Sequence, residues 1–258
     1  MKEDEYKVDA VEDDEWFEDE MEEHSKSGCL TKIIVLLILC AFIAISVPNF
    51  SYLLSDQLSF LDQNKVLMED EIVQKCKPAV VSIEAVAANE DPGSEVHRGT
   101  GFNISPTGTI VTNQHIVANA KKITITFGDG TNFFVNQYET VPGEDIVIIR
   151  LKGNNLPSLR LNMDRRVQNG DMVTIIGNPL GFEKISQRGE VGQYHKTADN
   201  QSLVFDINIP INPGNSGSPV INQEAEVVGI VFASTTLDIN GQSESRALAI
   251  PVQVLPLK

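Results

Sequence analysis

Hydrophobic and polar positions change their rhythm three times along the chain. From Cys29 to Val47 runs CLTKIIVLLILCAFIAISV, in which the only charge is Lys32. At the α-helical rise this run is about 28 Å long, close to the thickness of bilayer hydrocarbon. A buried core helix would carry a polar face, and Ile33–Ile45 has none, so the run predicts a single transmembrane helix with Lys32 reaching back to the interface. Beyond it Leu54, Leu58, Leu61, Lys65 and Met68 step by four, three, four and three, a short heptad seam that predicts a juxtamembrane helix within residues 48–68.

From about Lys77 the rhythm shortens to apolar runs broken by turn residues: AVVSIEAV, GTGFNIS, GTIVTN, KKITITF, TNFFVNQY, DIVIIRL, DMVTIIG, KISQRGEVG, SLVFDINI, SPVI, EVVGIVFAS and RALAIP. Ser105-Pro106-Thr107-Gly108, Gly128-Asp129-Gly130, Asn169-Gly170-Asp171 and Asn178-Pro179 supply turn chemistry between them. A dozen strands with little room for helices predict an all-β domain over residues 69–258, a barrel or a pair of barrels, and rule out a parallel α/β enzyme.

Charge alters the picture at one end. The chain of 258 residues carries a net charge of −16, but residues 1–27 hold 13 acids against three bases and account for −10 of it, leaving −6 for the rest. That tail is predicted to be disordered and solvated; Trp16 and Phe17 among its carboxylates leave docking to a basic partner as the alternative. No Lys/Arg cluster is present, which excludes a nucleic-acid binder. Lys26 and Lys32 flank the apolar run on its N-terminal side, whereas Asp56 and Asp62 come before Lys65 on the other, so the N-terminus is expected in the cytoplasm and the β domain outside. Ala44-Ile45-Ser46 has the form of a cleavage site, so a cleaved signal peptide is the rival reading; the long acidic leader argues against it. Cys29 and Cys40 fall in the apolar run, leaving Cys76 without an intrachain disulfide partner in the exported part.

Three strings bring together the parts of a nucleophilic hydrolase. Ile110-Val111-Thr112-Asn113-Gln114-His115-Ile116-Val117 ends an apolar strand on a histidine, Gly143-Glu144-Asp145-Ile146-Val147 places an acid at the entry to a buried strand, and Asn212-Pro213-Gly214-Asn215-Ser216-Gly217-Ser218 sets a serine between glycines. Serine-mediated amide hydrolysis needs a base beside the hydroxyl, a carboxylate that orients the base, and backbone N–H groups turned toward the developing oxyanion. Each part alone has a plainer explanation as a turn or a satisfied polar residue. Glu144 and Asp129 rival Asp145, and His97 and His195 are the other exported histidines, in less suitable settings. Such chemistry calls for no cofactor or metal.

GTGFNISPTGTIVTNQHIV, DIVIIRL, GNPLGFEKISQRGEVG, INPGNSGSPVIN, VVGIVFAS and ALAIP together resemble the HtrA/Deg-type branch of the chymotrypsin-like serine proteases, over about residues 70–255. The resemblance implies a chymotrypsin-like double six-stranded β-barrel with the site in the cleft between barrels. It implies His115 as general base, Asp145 as its orienting carboxylate, Ser216 as nucleophile, and the amides of Gly214, Asn215 and Ser216 as the oxyanion hole. Val231, Phe232, Ala233 and Ser234 would bind polypeptide substrate as an added strand, with Ile211 and Asn212 beside the specificity pocket. A homotrimer is also implied, and membrane lipid would be met through residues 29–47.

Departures accompany the match. Ser218 stands for a second glycine, Ile209 and Pro210 for two alanines and Asn208 for an aspartate, all beside the specificity pocket; the wording GNSGSPV is shared with glutamyl endopeptidases. Asn215 occupies the place of the aspartate that pairs with a freed N-terminus in digestive relatives, so activation by clipping is not expected. No acid stands at an evident pocket base, and the analogy favours small or medium aliphatic residues before the scissile bond, with His195 as the rival determinant. No PDZ module of the kind many relatives carry is expected from these residues, and the expected control elements are the tail, the membrane segment and oligomerisation. The leading expectation is a membrane-anchored serine endopeptidase acting on exported, unfolded or damaged proteins. The alternative is a protease-fold binding or signalling module without turnover.

Overall fold

The computed structural model describes residues 32–39, 60–87, 96–197, 202–239 and 241–257. The acidic tail of residues 1–27 and the seam positions Leu54 and Leu58 lie outside these. Residues 32–39 are helical, with Ile33 to Leu39 exposed; no helix among the described residues is long and apolar enough to cross a membrane.

Among the described residues, fourteen strands form two seven-stranded sheets. The first contains β1 (Val80–Ala87), β2 (Val96–Asn103), β3 (Thr109–Thr112), β4 (Ala120–Thr126), β5 (Asn132–Val135), β6 (Glu139–Thr140) and β7 (Val147–Arg150), in the order β5-β4-β1-β2-β3-β7-β6. The second contains β8 (Arg160–Leu161), β9 (Met172–Gly177), β10 (Ile185–Lys196), β11 (Leu203–Ile207), β12 (Pro219–Ile221), β13 (Glu226–Ile239) and β14 (Gln242–Pro251), ordered β12-β9-β10-β11-β14-β13-β8, and an additional β12–β13 pairing curls it back on itself. All neighbours are antiparallel except β13 and β8. The expected six strands per barrel become seven through β6 and β8, each two residues long and too short to leave a periodic trace in the sequence.

Apolar faces explain the arrangement. Val81, Ile83, Ile110, Ile123, Ile125, Val147 and Ile149 fill the first half-barrel, and Val173, Ile175, Val191, Phe205, Ile207 and Val220 fill the second. Residues of the opposite parity, including Val80, Val111, Ile146, Ile148, Ile176 and Ile230, join a third cluster shared by both sheets. Strands such as β7 are therefore buried on both faces, which is why DIVIIRL reads as an unbroken apolar run rather than an alternation.

Short helices complete the body. Helix α1 (Glu71–Cys76) is capped by Asp70, whose carboxylate accepts from the amides of Ile72 and Val73 at 3.0 and 3.2 Å. Helix α2 (Gln114–Val117) is a single turn directly after β3. Ahead of α1, residues 60–67 are also helical and pack on the body: Phe60 and Leu67 are buried, whereas the predicted seam residues Lys65 and Met68 are exposed. The third seam residue of this helix, Leu61, is half-buried, and the packed body starts before residue 69, the expected boundary.

Candidate active site

Residues from both sheets meet at the cleft. β3 runs through buried Thr112 and Asn113 into α2, which presents His115 at the rim, half-exposed. Asp145 sits in the turn before β7, the strand paired with β3, so sheet register brings acid and imidazole together. The Asp145 carboxylate takes two bonds from His115: ring Nδ1 to Oδ2 at 2.5 Å and the backbone N–H to Oδ1 at 2.9 Å. Asn113 Nδ2 donates to the Asp145 carbonyl at 2.8 Å and fixes the backbone of the same turn. With Nδ1 directed at the carboxylate, Nε2 is the ring nitrogen not engaged by Asp145. Of the rival acids, Asp129 accepts from the Thr131 amide at 2.9 Å as a turn former, and Glu144 makes no bond to the ring.

Ser216 lies in the β11–β12 connection of the second sheet. Its carbonyl accepts from the Thr100 amide of β2 at 2.9 Å, which docks the serine loop onto the first sheet. Gly217 then passes so close to β2 and β3 that an added Cβ would stand 2.0 Å from the Thr100 carbonyl oxygen and 2.5 Å from Thr112 Oγ1, at φ +81°. Only glycine fits there, and the approach sets Ser216 beside the strand that leads into His115. Among the described residues the Ser216 hydroxyl makes no hydrogen bond to His115; such contacts are often longer in unliganded sites and tighten with substrate.

The amides of the serine loop divide cleanly. Among the described residues the N–H groups of Gly214 and Ser216 have no intramolecular acceptor, whereas the Asn215 N–H donates to the Asn212 carbonyl at 3.1 Å. This corrects the expectation for Asn215, whose amide is consumed in closing the turn, while its side chain is buried. Gly214 adopts φ +100°, and a Cβ there would be 2.3 Å from the Asn178 carbonyl oxygen. The carbonyls on either side of its amide are both held. The Leu180 N–H donates to Pro213 O at 2.8 Å, and Thr100 Oγ1 donates to Gly214 O at 2.7 Å. Thr100 Oγ1 also accepts from the Asn178 backbone N–H at 2.9 Å, and Asn178 Nδ2 lies 3.2 Å from both Thr100 Oγ1 and Val81 O. Sequence reading missed Thr100, Asn178 and Leu180 as supports. Their strings, GTGF and GNPLGF, were visible, but a threonine or asparagine beside glycine is too common to signal a role.

The expected substrate strand also needs a correction. Val231 spends its N–H on Ser218 O at 2.9 Å and its C=O on Gly217 N–H at 2.8 Å, so its backbone is closed to a ligand. Phe232 forms a bulge against β14, and from there β13 pairs on its β14 side alone among the described residues, leaving an edge along Phe232, Ala233 and Ser234. Ile211 is half-buried against the second core, and Asn212 lends its carbonyl to the turn. A groove of about 660 Å³ runs beside Gly214 and Leu180 toward Glu84 and Arg98, which form a 2.7 Å ion pair.

His195 faces a different partner. Its Nε2 lies 2.6 Å from Oδ1 of Asp206, which is buried and also accepts from Arg246 Nη1 at 2.8 Å and from the Gln193 amide at 2.9 Å. Burial alone would raise the Asp206 carboxyl, but the bonds from His195, Arg246 and Gln193 outweigh it and hold the group below its ordinary 3.8. His97 lies in β2 opposite Ala85. No cluster of metal-ligating side chains occurs among the described residues.

The probable periplasmic serine endoprotease DegP-like of Pseudomonas putida is 34% identical over 158 residues, covering 60% of this chain and 33% of that protein. Its counterpart in Chlamydia pneumoniae is 38% identical over 148 residues, covering 55% and 30%. The chain therefore spans about a third of the length of the curated relatives it matches. The serine endoprotease from Yersinia pestis superposes with a TM-score of 0.56 at 26% identity, covering 70% of this chain and 61% of that one. A protease from M. tuberculosis in its active form gives 0.60 at 24% identity, covering 72% and 81%. The family of the trypsin-like peptidase domain matches residues 99–230, just over half of the sequence and the span from β2 through the serine loop into β13, and the chain belongs to that family.

Proposed function

We propose that the chain is a serine endopeptidase in which Ser216 is the nucleophile, His115 the general base and Asp145 its orienting group. The observation that carries this reading is the doubly bonded His115–Asp145 pair together with a serine loop, docked on β2, whose Gly214 and Ser216 amides have no acceptor among the described residues. In the reaction, His115 Nε2 removes the Ser216 proton as Oγ attacks the scissile carbonyl. The oxyanion is received by the two free amides. Collapse expels the amine, which takes the proton from the imidazolium, leaving an acyl-serine. Water, deprotonated by the same imidazole, then releases the acid and restores the hydroxyl. Asp145 stays ionised throughout and stabilises the imidazolium.

Substrate polypeptide pairs with the open edge at Phe232–Ser234, and Ile211 supports a preference for aliphatic residues before the scissile bond. Residues 29–47 anchor the chain in a membrane with the tail of residues 1–27 in the cytoplasm and the protease domain outside; the apolar run and the flanking lysines support this. The substrates are exported, unfolded or damaged proteins, a reading supported by the periplasmic relatives. The test is turnover of unfolded casein by the full chain in detergent. Wild type should release peptides and Ser216→Ala should not; equal release by both, or by neither while both are folded, would remove the reading.

A further inference from the structure

We infer that Phe60, Gln63 and Asn64, ahead of the β domain, are positioning residues for the oxyanion turn, acting through loop 178–184. This rests on the reading of Gly214 as an oxyanion donor. The Pro213–Gly214 peptide is planar and trans, so fixing its carbonyl fixes the opposite direction of the Gly214 N–H. The group that fixes it is the Leu180 N–H, at the crest of loop 178–184.

That loop is not at ease by itself. Leu180 and Lys184 both have positive φ, +53° and +54°, a region that side-chain-bearing residues enter at a cost and hold only under external constraint. Asn178 Oδ1 closes the loop internally by accepting from the Lys184 amide at 2.9 Å. The external constraint comes from residues 60–67. Phe60, buried, meets the loop residue Phe182 edge to face with ring centroids 6.1 Å apart.

The strand that leaves the loop is held by the same segment. β10 pairs with β9 from Ile185 to Glu190, but its ladder with β11 begins only at Val191, so Ser186 and Arg188 stand on a bare edge. Backbone groups on such an edge need partners. Asn64 Oδ1 accepts from the Ser186 amide at 2.9 Å, Gln63 Oε1 accepts from the Arg188 amide at 3.2 Å, and Gln63 Nε2 donates to the Arg188 carbonyl at 2.8 Å. The carboxamide of Gln63 supplies a donor and an acceptor to one residue, as a neighbouring strand would. A further tie, Arg188 Nη1 to Asp70 Oδ2 at 2.8 Å, secures the start of α1 to the same point. Phe182 of the loop and the strand at its exit are thus both gripped by the stretch of chain that leads back toward the apolar run of residues 29–47.

The test uses the full chain in detergent, with Gln63→Met/Asn64→Leu as the disrupting pair and Asn64→Asp as the conservative variant that keeps an acceptor for Ser186. The pair should lower kcat on a peptide ester about tenfold with KM within about twofold, and weaken a peptidyl boronic acid, which forms the tetrahedral adduct, by a similar factor while leaving product-peptide affinity unchanged. Asn64→Asp should stay within about twofold of wild type. Unchanged kcat and boronate affinity, or a loss confined to KM, would overturn the inference. If the pair does not fold, Asn64→Ala carries the same measurements. Amide exchange across residues 178–188, measured in a Ser216→Ala background, should be about tenfold faster in the pair. That readout needs no turnover: unaltered exchange overturns this inference, whereas a folded wild type that fails to cleave overturns the proposed function.

Discussion

Asp145 spends both carboxylate oxygens on His115, and this double hold predicts how its loss would act. Asp145→Asn keeps the shape but favours the wrong imidazole tautomer, and should lower kcat by about 10³ to 10⁴ with little change in KM, read by steady-state kinetics. Thr100→Val removes one hydroxyl that donates to Gly214 O and accepts from the Asn178 N–H, and should cost about tenfold to a hundredfold in kcat. Gly217→Ala has no room for its Cβ against Thr100 and should destabilise the domain by about 2–4 kcal/mol, read by denaturant unfolding. The positions proposed for chemical roles stood out in the sequence because His115 and Asp145 lie at strand–turn junctions and Ser216 lies between glycines. Thr100 and Asn178 did not, because their importance lies in contacts between the two sheets that only the folded register creates.

Strands were the more legible elements: each of the twelve apolar runs corresponds to one of the longer strands, because double-sided burial in β1, β3, β7 and β9 leaves a strong signal. The helix expected within residues 48–68 is seen over residues 60–67, but the heptad count weighs leucines and gives no sign of the carboxamides of Gln63 and Asn64 that bind the β10 edge. The ion pairs that tie elements together also set an acid limit. The Arg188 guanidinium holds Asp70 below its ordinary 3.8, and Asp206 is held low by His195 and Arg246 against its burial. Each therefore stabilises the fold above the unfolded carboxyl's pKa, and that contribution is lost as pH falls through the lower folded value. Thermal melts should show wild type losing Tm as pH drops below about 4, while Asp206→Asn starts lower at pH 7 and declines less steeply. Parallel curves for the two chains would contradict this.

At the scale of the whole molecule, the net charge of −16 divides between an acidic tail and a domain of ordinary balance, so the tail's charge need not bear on the cleft. The homotrimer that the resemblance implies would find apolar surface ready at Val66, 79% exposed, and Met68, 55% exposed, on the segment packed against loop 178–184. Sedimentation of the full chain in detergent should then show a trimer for wild type and a monomer for Val66→Asp/Met68→Asp; an identical mass for both would dismiss that surface as the contact. The proposed endopeptidase requires an activated Ser216 hydroxyl, whereas the alternative of a silent protease-fold module predicts an inert one. Labelling of the folded full chain by a fluorophosphonate, followed by peptide mapping, separates the two. Modification confined to Ser216, and lost in both His115→Ala and Ser216→Ala, is the predicted result; a folded wild-type chain left unlabelled, or labelled equally when His115 is replaced, would contradict it.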